Sequence, residues 1–142
     1  MQTTILRSSL AALACTVVLA SPSMAANVNL KADLKGASEV PPADSKGTGS
    51  VTATFGTPSK KLSWKGSVTG LSGPATAAHF HSGEVGKNGG VTLPIAGADT
   101  GSFEGSATLT DAQTQELMAG KWYVNVHTAA NKGGEVRGQV TK

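Results

Sequence analysis

All three histidines of this chain fall in two short segments, His79-Phe80-His81 and the end of Trp122-Tyr123-Val124-Asn125-Val126-His127. Successive side chains of an extended strand alternate, so His79 and His81 share a face with Cα atoms about 6.6 Å apart, while Phe80 points the other way, into the core. In the second segment Trp122, Val124 and Val126 form an apolar face, and Tyr123, Asn125 and His127 a polar one. The spacing therefore predicts that two neighbouring strands aim all three imidazoles at a common point outside the hydrophobic interior. Ligand bonds near 2 Å demand that the three ring nitrogens lie within roughly 4 Å of one another. His79, His81 and His127 are on these grounds the candidate metal ligands.

Three neutral imidazoles without a thiolate favour copper or zinc over the hard, oxygen-seeking cations. Copper is the first choice because imidazole sites follow the divalent order that peaks there, with zinc the second choice. Three protein ligands would leave one coordination position open. The loop from Ser82 to Gly90 follows the histidine pair directly, and its glycines let backbone close over a ligand. Glu84 and Asn125 are candidate outer partners that fix a histidine tautomer, and Met118 is a candidate fourth ligand. Other chemistries find no support: there is no G-x-S-x-G elbow, and Gly86-Lys87 is not followed by the Ser or Thr of a phosphate loop. Nothing singles out a glycosidase pair of carboxylates.

The elements that position these residues read as strands. Apolar and polar residues alternate in short runs near Val28–Leu34, Gly49–Phe55, Lys61–Val68, Ala75–His81, Val91–Ile95, Ser102–Leu109, Trp122–His127 and Glu135–Val140. Eighteen glycines supply the turns between them. Thr110-Asp111-Ala112-Gln113 fits a capping box, and Leu117-Met118 closes a short helix before Gly120. Glu39-Val40-Pro41-Pro42 belongs in a loop or on an edge, since each proline removes a ladder donor. The expected fold is all-β: a Greek-key sandwich or flattened barrel of seven to eight antiparallel strands with one short helix.

Arg7 followed by the apolar run Leu10–Ala20 and by Ser23-Met24-Ala25 reads as a secretory signal peptide over residues 1–25, too short to span a bilayer. Residues 26–142 then form one exported domain, periplasmic or secreted, without a membrane span. Cys15 lies inside the leader and is the only cysteine, so the mature chain has no disulfide to stabilise it. Twelve Lys and Arg stand against nine Asp and Glu, and the basic residues are scattered singly apart from Lys60-Lys61. With aromatics at only 4%, there is neither a phosphate-tracking stripe nor a stacking platform, which excludes nucleic acid as a partner.

Four separated motifs, Glu39-Val40-Pro41-Pro42, Ala78-His79-Phe80-His81-Ser82-Gly83, Tyr123-Val124-Asn125-Val126-His127-Thr128 and Gly134-Glu135-Val136-Arg137-Gly138-Gln139, resemble in order and spacing the CHRD (chordin) domain family. Members occur in chordin, a secreted antagonist of signalling proteins, and as stand-alone exported bacterial proteins. The order of the histidines is also similar to Cu,Zn superoxide dismutase, a Greek-key barrel. That resemblance implies His79, His81 and His127 as copper ligands, Arg137 as an anion-guiding catalytic residue, and superoxide as a substrate. The bridging histidine, the zinc-loop histidines and the disulfide of that family have no counterpart here. Arg137 has a plainer reading as a strand residue lying over the sheet edge.

Two functions follow as expectations. One is an exported copper protein used for storage, transfer or superoxide dismutase-like redox chemistry. The other is a metal-free module that binds another exported protein or the cell envelope.

Overall fold

A computed structural model describes residues 26–142 of the chain; the expected leader over residues 1–25, with Cys15, lies outside the described residues. Eight strands form one antiparallel sheet: β1 Asn27–Lys35, β2 Thr48–Gly56, β3 Lys61–Thr69, β4 Ala75–Ser82, β5 Val91–Pro94, β6 Ser102–Thr108, β7 Trp122–Thr128 and β8 Val136–Gln139. Their order across the sheet is β5-β4-β7-β8-β1-β2-β3-β6. The chain crosses from one half of the sheet to the other between β3 and β4, between β5 and β6, and again between β6 and β7.

The sheet curls on itself, because Trp64 of β3 meets Phe80 of β4 edge to face at 5.1 Å although four strands separate them in the sheet order. The architecture is the all-β sandwich or flattened barrel that the alternation predicts. Leu30, Ala32 and Leu34 of β1, Val51, Ala53 and Phe55 of β2, and Trp122, Val124 and Val126 of β7 line its interior. Their neighbours on β1 and β2 face solvent, which is the period-two pattern of half-buried strands.

The one α-helix, α1 over Asp111–Met118, opens on the expected capping box: Thr110 Oγ1 accepts from the Gln113 amide, and Gln113 Oε1 accepts from the Thr110 amide. It delivers the chain to β7 with Leu117 in the core and Met118 packed against it. Met118 therefore lies on the opposite side of β7 from the histidines and is not a ligand candidate. No helix among the described residues is long and apolar enough to cross a membrane.

Glu135 falls just outside β8, not within it as its sequence position suggests, and it is only 1% exposed. Its carboxylate accepts from Ser45 Oγ at 2.7 Å, the Ser72 amide at 2.7 Å, Thr128 Oγ1 at 2.6 Å and Asn131 Nδ2 at 3.1 Å. This ties three connections together and shapes the β7–β8 turn. Burial pushes the Glu135 pKa up, but the hydrogen bonds from Ser72, Thr128 and Ser45 outweigh it and bring the value from 4.5 to about 2.

A carboxyl held below its unfolded pKa contributes stability that is whole above 4.5 and lost as pH falls through about 2. Glu135→Gln is expected to lower stability at neutral pH by about 2 kcal/mol. It should also flatten the acid limb of a plot of denaturation midpoint against pH. Equal slopes for the two proteins would show that this carboxylate does not govern acid unfolding.

Candidate metal centre

β4 and β7 lie side by side, with His79 opposite Asn125, His81 opposite Tyr123, and Ala77 opposite His127. This register puts His79, His81, Tyr123, Asn125 and His127 on one face, with Phe80 turned to the core and only 1% exposed. The ligand atoms of His79, His81 and His127 all lie within 4.8 Å of one another. His79 Nδ1 and His127 Nε2 are 3.2 Å apart, already a chelating separation. With ligand bonds of about 2.1 Å, a pair on opposite sides of the ion must close by about 0.6 Å and a tetrahedral pair by about 1.4 Å, so the rings must turn inward to bind.

The outer face of this part of the sheet is not open to water, as a polar strand face would suggest. Every residue of β7 except His127 is buried. The loop from Gly83 to Gly90 folds back over the strands, and Asn88 Nδ2 fastens it to the Val40 carbonyl at 2.7 Å. Gly89 must be glycine, because a Cβ there would collide with the Ser82 carbonyl. This close approach brings the Gly89 carbonyl to His81 Nδ1 at 3.0 Å.

The hydrogen-bond network assigns the tautomers. His81 Nδ1–H donates to the Gly89 carbonyl, and His127 Nδ1–H donates to the Lys132 carbonyl at 2.9 Å. Both rings thus turn an Nε2 lone pair toward the cluster, the arrangement that orients imidazole ligands in metal sites. His81 Nε2 is buried and has no hydrogen-bond partner. His79 Nδ1–H donates to His127 Nε2, so His79 is the ring that must change tautomer to offer Nδ1. The His79 pKa is lowered by burial, then by the charges of His127 and His81. That of His81 is lowered chiefly by burial, against the opposing pull of the Gly89 carbonyl. Both rings are held toward the neutral form, the form that coordinates.

Arg137 does not lie over a sheet edge. β8 is an internal strand between β7 and β1, and Arg137 is only 2% exposed. Its guanidinium sits 3.5 Å above the Tyr123 ring, and Tyr123 stacks on His81 at 4.8 Å and 7°. Nη1 donates to Asn88 Oδ1 at 3.0 Å, and Nη2 donates to the Lys87 carbonyl at 2.7 Å and the Glu84 carbonyl at 3.4 Å. Both terminal nitrogens are thereby engaged with the loop. The Glu84 carboxylate pairs with Lys121 at 3.3 Å on the surface, so backbone carbonyls, not Glu84, hold the tautomers.

Asn125 is at the cluster, 3% exposed and opposite His79 on the same face, but it fixes no histidine tautomer. Three groups that the spacing of the histidines did not point to join it: Tyr123, Gly89 and Glu39. Tyr123 was legible as a member of the polar face of β7. Glu39 was not, because a loop brings it in. It is 6% exposed, and its pKa is raised to about 7, mainly by burial and against the attraction of Arg137 and Asn125. A surface groove of about 860 Å³ lies over β2, β3 and β6 and shares no residue with the cluster. Without grouped histidines or a buried orphan atom, it offers no comparable chemistry.

Fold and site together define a class: an antiparallel β-sandwich domain with a histidine cluster beneath a loop on its outer face. The chain belongs to the CHRD domain family, which matches residues 30–140. No curated protein and no solved structure matches it.

Proposed function

We propose that this chain is an exported metal-binding protein in which His79, His81 and His127 hold one copper ion, with zinc the second choice. The observation that carries this reading is the convergence of the three ligand atoms within 4.8 Å, with a buried, unpartnered His81 Nε2 among them. The donor set fits a borderline metal: neutral imidazoles, two with tautomers fixed by backbone carbonyls, and no thiolate. Export rests on Arg7 and the apolar run Leu10–Ala20.

Of the uses open to such a site, storage or transfer fits better than superoxide dismutase-like turnover. An anion guide needs donors facing the metal, and the Arg137 terminal nitrogens are engaged with the loop.

The test is direct titration of the purified protein with Cu(II), Cu(I) and Zn(II). The expected result is one equivalent of copper bound at micromolar concentration or tighter. Uptake of none of the three ions would sink the proposal. A second reading, a metal-free interaction module, draws on Val85 and Val91, which are 77% and 59% exposed at either end of the covering loop. Capture of an envelope protein that ignores the histidines and needs these two valines would favour it.

A further inference from the structure

The cluster contains more unsatisfied polarity than three imidazoles explain. Among the described residues, Glu39 Oε1, His81 Nε2 and Asn125 Oδ1 are all buried without a hydrogen-bond partner. Asn125 belongs with both of the others: it sits opposite His79 on the histidine face, and its amide nitrogen and Glu39 Oε1 both flank Gly134.

The amide's orientation follows from its donors. Asn125 Nδ2 donates to the Gly133 carbonyl at 3.4 Å. It is also turned to the Glu39 side: a Cβ placed on Gly134 would fall 2.5 Å from Asn125 Nδ2 and against Glu39 Oε1. With Nδ2 directed to Gly133 and Glu39, Oδ1 is left on the His81 side. His81 Nδ1–H is committed to the Gly89 carbonyl, so the atom His81 turns inward is an Nε2 lone pair. Two acceptors thus lie buried and unpartnered on the same face of neighbouring strands, an arrangement that costs free energy unless a cation or a donor serves them.

We infer that Asn125 Oδ1 is a fourth ligand of the proposed copper site, making it a three-nitrogen, one-oxygen donor set that selects Cu(II) over Cu(I). This inference rests on the metal-binding reading and deepens it. An amide oxygen is a hard donor that adds little to Cu(I) and more to a divalent ion. Glu39 acts as a positioning residue: its carboxyl faces the Asn125 amide nitrogen and keeps Oδ1 turned to the cluster. Gly134 acts likewise, because any side chain there would displace both groups.

The test compares Cu(II) and Cu(I) affinities, by competition with chromophoric chelators, for the wild type, Asn125→Leu and Asn125→Asp. Asn125→Leu is expected to lose Cu(II) affinity by about 10-fold or more, the scale of effects close to a metal, while Cu(I) affinity changes far less. Asn125→Asp should raise the Cu(II) to Cu(I) ratio and shift the Cu(II) electron paramagnetic resonance spectrum. Equal losses for the two oxidation states, or none, would overturn the inference and point to a water between Nε2 and Oδ1. If Asn125→Leu does not fold, Asn125→Asp decides alone, an unchanged ratio and spectrum being fatal. A wild type that binds neither ion would instead remove the copper reading itself.

Discussion

His81→Ala is expected to lower copper affinity by at least about 100-fold, beyond the range that loss of an outer partner costs. Its ring is the most completely prepared of the three. The Gly89 carbonyl fixes its tautomer, the Tyr123 ring fixes its plane, and the cover leaves it 8% exposed. No other imidazole replaces the lost donor, because the chain has only three histidines and His79 and His127 alone remain. His127→Ala should cost somewhat less, since its Nδ1 is held by the Lys132 carbonyl but its ring is less deeply covered. His79→Ala should cost least, as His79 must first give up its bond to His127. Competition titrations of the three single variants would check this order. Copper affinity unchanged in His81→Ala would remove that residue from the site.

Arg137→Met is expected to destabilise the protein by about 3 kcal/mol and to weaken copper binding by about 10-fold without touching a ligand. The stability loss follows from what the guanidinium does in a buried position. It holds the Lys87 and Glu84 carbonyls and the Asn88 amide oxygen, and it covers the Tyr123 ring. The affinity loss follows one step further on, since those contacts seat the loop whose Gly89 carbonyl orients His81. Amide hydrogen exchange at Gly89, which donates to the Tyr123 hydroxyl at 3.1 Å, should accelerate in the variant. Arg137→Lys should rescue little, because an ammonium has neither the planar fork for diverging acceptors nor the flat face for the ring. Unaltered exchange at Gly89 would show that the loop is seated by other means.

The strands were legible because their cause is local. The predicted Val28–Leu34 and Lys61–Val68 differ from the observed Asn27–Lys35 and Lys61–Thr69 by a residue at an end. The capping box at Thr110 was legible for the same reason, as its two hydrogen bonds close within four residues. Glu135 misled because alternation continues through it, whereas its carboxylate is held by Ser45 and Ser72, far away in the chain. Glu84 looked like an outer partner of a histidine because it is near in sequence. Its backbone turns toward Arg137 and its carboxylate to Lys121.

By itself the sequence determined that His79 and His81 share a face and that Phe80 opposes them, since a two-residue period leaves an extended chain no other choice. It also determined the chemical character of the donor set, since these are the chain's only histidines and Cys15 its only cysteine. Only the tertiary structure decided that His127 comes beside that pair, through a pairing of β4 with β7 across 48 residues. It likewise decided that the polar face is roofed by a loop and backed by Glu39 and Arg137, which no periodicity encodes. Contacts of that kind depend on how the curled sheet brings distant turns together, and their free energy exists only once the whole sheet has closed.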